Sequence, residues 1–250
     1  MSINISHLVV IGCSFSYGQG LDNPKEDAWA AILANKLSVP VVNLSTPGGG
    51  NDRIMRKLFE YYHADNKGNN PFYIVPFSHS SRREEYILEE NDYRVIDMHP
   101  SSYRKNQYGY TRPALMHYNQ EAASARKLMI QTYIIDFFRA NNTNYLTSDF
   151  LPDSVTDHYT LKLSFPTAYD KVYNDPYKLI DLANFSKQHT PLPCGHDGPE
   201  AQHAIANYIH DELTARYGQP TPVNDTFVSL KEFRDLYPKA GSYPGEKTWL

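Results

Sequence analysis

The chain has 250 residues, 41% of them hydrophobic and 21% charged, with a formal net charge of -4 and an isoelectric point near 6.2. That length suits one sizeable core and requires no second domain. The charge balance leaves no electrostatic footprint for nucleic acid, and no apolar run approaches the ~20 residues that cross a bilayer.

The amino terminus runs directly into a strand-like stretch, without a basic region or small-residue cleavage site. A cytoplasmic setting is therefore the expectation, with a virion or a host cytoplasm equally compatible. His7 to Ile11 is a short apolar run ending at a glycine, as a buried parallel strand would be. After the small-residue loop GCSFSYGQG, Trp29, Ile32, Leu33 and Leu37 recur at helical spacing. Val41 to Leu44 reads as a second strand, and STPGGGND as a tight turn with Asn51 or Asp52 capping the next helix. That helix would bury Ile54, Leu58 and Tyr61. Phe72 to Phe77 is a third strand, and residues 87–117 read as an insertion of weak periodicity. Ala125, Leu128, Met129, Thr132 and Ile135 line a helix ending near Asn141, before a fourth strand at Asn144 to Thr147. Residues 149–195 read as loop with one or two short helices. Pro199 opens a last helix that Gly218 closes. This alternation implies an α/β fold with a parallel sheet covered on both faces. The expected division is one domain over residues 1–218 and an extension over 219–250, whose apolar side chains would pack on the domain or on a neighbouring copy.

Ligands of such sheets bind beyond the carboxyl ends of the strands, where three of the loops carry groups suited to acyl transfer. Ser14, between strand and helix, can present a hydroxyl and a backbone N–H at the sheet edge, although Ser14 or Ser16 can equally cap a turn. Gly48 permits close backbone approach and can donate its N–H to an oxyanion, or simply form a turn. His196, on the loop before the last helix, suits a general base or a structural role. Arg82 can anchor an anionic or sugar-like substrate, or belong with Arg83, Glu84 and Glu85 to a solvated charge run. Cys13 and Cys194 are expected as two free thiols, and Cys13 should point away from the Ser14 pocket. Cys194, His196, His203 and His79 match no compact zinc spacing.

Taken together, these segments resemble the SGNH (GDSL-like) hydrolase family over residues 6–217. GCSFSYG is similar to its first block, with Ser14 at the nucleophile. NLSTPGGGND is similar to the second, with Gly48 at the oxyanion glycine, and CGHDGPEAQHAIANYI to the last, with His196 at the catalytic histidine. NLSTPGGGNDRI and PFSHSSRREE also resemble SGNH-like proteins encoded by bacteriophages. The resemblance implies a flavodoxin-like three-layer α/β/α sandwich and a serine-dependent ester hydrolase without metal or organic cofactor. Its substrate would be an acetylated carbohydrate, a lipid or another small ester. Two departures stand out. The third block's asparagine is missing from Pro76-Phe77-Ser78-His79, leaving Ser78, His79 or Asn51 to substitute. The aspartate three residues before the histidine is replaced by Pro193, leaving the Pro193 carbonyl or Asp197 to orient His196. These losses support an alternative, a catalytically degenerate domain acting as a binding module or as a structural module of a virion. The expected partners are a small-molecule or glycan ester and, through the extension, a second copy, but neither nucleic acid nor membrane.

Overall fold

The computed structural model describes residues 3–64, 70–87, 92–97, 119–151 and 154–223. Its centre is a four-stranded parallel sheet formed by β2 (His7–Val10), β3 (Val41–Asn43), β4 (Pro71–Phe77) and β7 (Asn144–Asp149), in the order β3-β2-β4-β7. Val9 lies opposite Val42 on one side and Tyr73 on the other, and Tyr73 lies opposite Tyr145. The segment after Asp175 shields the outer edge of β7. There Thr147 N–H donates to Tyr177 O at 3.0 Å, and Leu179 N–H donates to Thr147 O at 2.7 Å.

Because successive side chains of a strand alternate between faces, two separate cores form. Leu8, Val10, Phe72, Ile74 and Leu146 pack with α3 (Trp29–Leu37) and α9 (Pro199–Tyr217). Val9, Ile11, Tyr73, Val75 and Tyr145 pack with α4 (Asn51–Tyr62) and α5 (Gln120–Ala140). The second core also takes Leu161 from α6 (Val155–Ser164) and Val172 from α7 (Pro166–Tyr173). Short helices α1 (Ser14–Tyr17), α2 (Pro24–Asp27) and α8 (Ala183–Ser186) complete the helical set among the described residues. The result is the three-layer α/β/α sandwich expected from the strand–helix alternation.

Three details depart from the sequence reading. β5 (Arg82–Ile87), which ends where the expected excursion over 87–117 begins, pairs antiparallel with β6 (Asp92–Asp97) inside it; residues 88–91 and 98–118 lie outside the described part. Within β5, Glu84 is buried rather than part of a solvated charge run. Both its carboxylate oxygens accept from Arg56 of α4, at 2.8 and 2.7 Å. The extension begins as a strand, β8 (Pro220–Pro222), paired in parallel with β1 (Ile3–Ile5). The packing expected for the rest of the extension falls on residues 224–250, outside the described part.

Candidate active site

Four loops meet at the carboxyl edge of the sheet. The first leaves β2 when Ile11 N–H donates to Ile74 O at 3.1 Å, and then turns at Gly12 into α1. A Cβ on Gly12 would come within 2.6 Å of Ser16 Oγ, so the turn closes tightly only around glycine. Ser14 is the first residue of α1 and is nearly buried. Cys13 precedes it with its side chain in the α3–α9 core, so its thiol leaves the pocket side to the serine. Cys194 is exposed and both cysteines are free.

The second loop follows β3 and is stitched to the first. Asn43 Nδ2 donates to Ser16 O at 2.8 Å, and Thr46 N–H to Gly12 O at 3.3 Å. Gly48 adopts φ 74°, a left-handed conformation that favours glycine, and no atom lies within 4 Å of where its Cβ would be. Its backbone therefore borders open space.

The third loop, after β4, is held by Asn51. Its Oδ1 accepts from Ser78 N–H at 2.8 Å, while Nδ2 donates to Ser78 O at 3.0 Å and weakly to His79 O at 3.4 Å. Asn51 is the first residue of α4, whose cap is Gly50; the sequence reading had placed Asn51 or Asp52 at the cap. Both ends of its amide are thus spent on fastening the loop. Ser81 N–H donates to His79 Nδ1 at 3.1 Å, which engages the ring of His79 in the same turn. Ser78 is fully buried, and its Oγ accepts from Arg82 Nη1 at 3.1 Å.

The fourth loop carries His196. Leu192 N–H donates to His196 O, and Gly195 N–H to Leu192 O, both at 2.8 Å. Gly195 supplies the left-handed turn at φ 81°. Gly20, in the segment that follows α1, lies where an added Cβ would meet Cys194 Sγ at 2.6 Å, so the last loop rests against the first. The ring of His196 lies 4.9 Å from that of Phe15, and Phe15 stacks on Phe150 at 4.7 Å. His196 is thereby brought beside the residue that follows Ser14. Among the described residues no hydrogen bond joins Ser14 to His196; catalytic hydrogen bonds are often loose before substrate arrives.

Burial, and next the positive charge of Arg82, hold His196 below the usual histidine pKa, against an opposing effect of the Cys194 carbonyl. Neither the Pro193 carbonyl nor Asp197 hydrogen-bonds His196 Nδ1, which is buried and without a partner among the described residues. Asp197 is buried in the bridge to Pro191. Among the described residues no group of three or more His, Cys, Asp or Glu side chains is placed to hold a metal. No described helix is long and apolar enough to cross a membrane.

The sequence thus located Ser14, Gly48 and His196 on loops that converge. It did not foresee the aromatic contact through Phe15, the clamp made by Asn51 or the peg that Ser78 offers Arg82.

No family model matches the sequence, and no curated protein matches it. Solved structures do. The esterase EstA from Pseudoalteromonas sp., inhibited by monoethylphosphonate, superposes with a TM-score of 0.51 at 13% identity, over 84% of this chain and 97% of that one. TesA gives a TM-score of 0.51 at 15% identity over 84% and 99% of the two chains. A carbohydrate esterase, whose active site is described as displaying divergent catalytic and non-catalytic binding functions, gives 0.51 at 11% identity over 84% and 64%. The fold is that of the SGNH/GDSL hydrolases.

Proposed function

We propose that the chain is an ester hydrolase acting by acyl transfer through Ser14 and His196. Ser14 Oγ attacks the ester carbonyl while His196 takes its proton. The amide N–H groups of Ser14 and Gly48 receive the developing oxyanion. Collapse of the intermediate breaks the bond to the alcohol, which leaves with the proton returned by His196. Water, deprotonated by the same imidazole, then attacks the acyl-serine and releases the acid. The observation that carries this reading is the packing of His196 on Phe15 at 4.9 Å, which sets the histidine loop beside the serine turn.

Asn51 and Asp197 enter as supports, the first for the Ser78 loop and the second for the histidine loop. His196 Nδ1 is buried with no carboxylate or other partner to orient it among the described residues, so turnover should be modest.

The test is release of p-nitrophenol from its acetate ester, with capture of a serine-reactive phosphonate read by mass spectrometry. The wild type should hydrolyse the ester and gain one phosphonyl group on Ser14. Ser14→Ala should lose both, and His196→Ala should lose turnover by about 100-fold or more. Absence of turnover and of labelling in the wild type would leave a binding module instead.

A further inference from the structure

His196 is a base with no hydrogen bond to aim it. Its Nδ1 is buried and lacks a partner among the described residues, whereas the bond made at one ring nitrogen ordinarily fixes a histidine's orientation and tautomer. The imidazole instead meets an aromatic ring. The centroid of Phe15 lies 4.9 Å away, with the two planes tilted by 46°. Phe15 is half-buried, and its own ring is held by stacking on Phe150 at 4.7 Å and 23°. Phe150 is fully buried, and its N–H donates to Phe77 O at 2.9 Å, so the stack is seated on the ends of β7 and β4. Phe15 also follows Ser14 directly on α1. There Gly18 N–H and Gln19 N–H donate to Ser14 O at 3.1 and 3.0 Å, and Asn43 Nδ2 donates to Ser16 O at 2.8 Å. One braced turn therefore carries both the nucleophile and the ring against which the base rests.

The contact bears on charge as well as on position. His196 must become cationic when it takes the serine proton, and burial and the charge of Arg82 both oppose that cation. A cation over an aromatic face, within about 6 Å of the ring centroid, is attracted by the ring's quadrupole. The separation of Phe15 and His196 falls inside that reach.

We propose that Phe15 is the positioning residue of His196, holding the imidazole by aromatic contact and stabilising the imidazolium that forms during acyl transfer. The proposal rests on the Ser14–His196 reading and deepens it, because it gives the two tasks of an orienting carboxylate to a π-system. No bond to Phe15 forms or breaks. The proton passes from Ser14 Oγ to His196 and on to the leaving alcohol, and Phe15 acts on it only through the ring of His196.

The experiment measures kcat and KM for p-nitrophenyl acetate, and the His196 pKa by NMR, in the wild type, Phe15→Tyr, Phe15→Leu and a protein with pentafluorophenylalanine in place of Phe15. The fluorinated ring nearly keeps the shape of phenylalanine and reverses the charge distribution of its face. It should lower the His196 pKa by about half a unit and kcat by about threefold, with KM unchanged. Phe15→Leu, which also removes the flat contact, should lose about tenfold in kcat. Phe15→Tyr keeps the π-face and should hold the His196 pKa and kcat near those of the wild type. A purely structural role for Phe15 would leave the His196 pKa unmoved in the fluorinated protein, and that result overturns the proposal whatever Phe15→Leu does to folding. Should the wild type neither hydrolyse the ester nor capture the phosphonate, the acyl-transfer reading fails instead, and the His196 titration still decides whether Phe15 stabilises the imidazolium.

Discussion

His196 combines two opposed demands. As the proposed base it must be neutral in the free protein, and burial together with the Arg82 charge favours this by holding its pKa below the ordinary 6.5. The acid limb of kcat/KM for a neutral ester should therefore fall below pH 6.5, since that limb reports the free enzyme's base. A pH–rate profile with its midpoint at or above 6.5 would contradict this assignment. Asn51 presents a different kind of residue-scale dependence. Asn51→Ala removes three contacts to the Ser78–His79 backbone and leaves buried groups unsatisfied, at a cost of about 1–3 kcal/mol. Urea unfolding should show that loss, and hydrolysis should fall with it as the Ser78 loop loosens. The loops that carry Ser14 and His196 were legible in the sequence because small residues and a Gly-Pro helix start mark them. Asn51 was not, because an asparagine opening a helix reads the same whether it caps that helix or grips a strand end twenty-seven residues away.

Elements obey the same limit. The four central strands were legible as short apolar runs, since a strand buried on both faces needs little alternation. β1 and β8 are only three residues each, and Pro220 and Pro222 argue against a strand until an edge partner is known. β5 looked solvated because Arg-Arg-Glu-Glu carries no apolar signal. The burial of its Glu84 depends on Arg56, a residue of α4 that sequence spacing cannot connect to it. α4 itself buries two cations, Arg53 and Lys57. Burial lowers the Lys57 pKa to about 8, helped by Arg53 and Arg56 and opposed by Glu60, whose carboxylate lies 3.1 Å away. Between that value and the unfolded 10.5, the unfolded state binds more protons, so this lysine makes stability rise with pH through that window and weakens the fold below it. Lys57→Met, similar in reach and free of charge, should raise the urea midpoint at pH 7 and flatten the dependence between pH 8 and 10.5. A midpoint lowered at pH 7 would show that the pair with Glu60 outweighs the cost of burial.

At the scale of the whole molecule, the sandwich is closed at its β7 edge by charge rather than by apolar contact alone. Asp149, the last residue of β7, is buried and meets Lys127 of α5 at 2.8 Å and Lys178 of the edge segment at 2.5 Å. Gln131 adds a hydrogen bond at 3.1 Å. Its neighbour Phe150 supports Phe15, and through it His196, so the edge that Asp149 organises also backs the candidate site. Burial alone would raise the Asp149 pKa, but the two lysines overcome it and hold the carboxyl far below the usual carboxylate range. A carboxylate depressed in the folded state contributes stability that is present above the unfolded value of about 3.9 and is lost as pH falls toward the folded value. Asp149→Asn leaves two lysines facing a neutral amide, and breaking a buried pair in this way costs about 3–5 kcal/mol. Urea unfolding at pH 7 should show a loss of that order, and the gap between variant and wild type should narrow steadily from pH 5 to pH 2. The variant should also hydrolyse ester more slowly wherever it remains folded, because the Phe150–Phe15 stack loses its anchor. A gap independent of pH would mean that Asp149 acts through shape and hydrogen bonding alone, and that the lysines draw their stability from elsewhere.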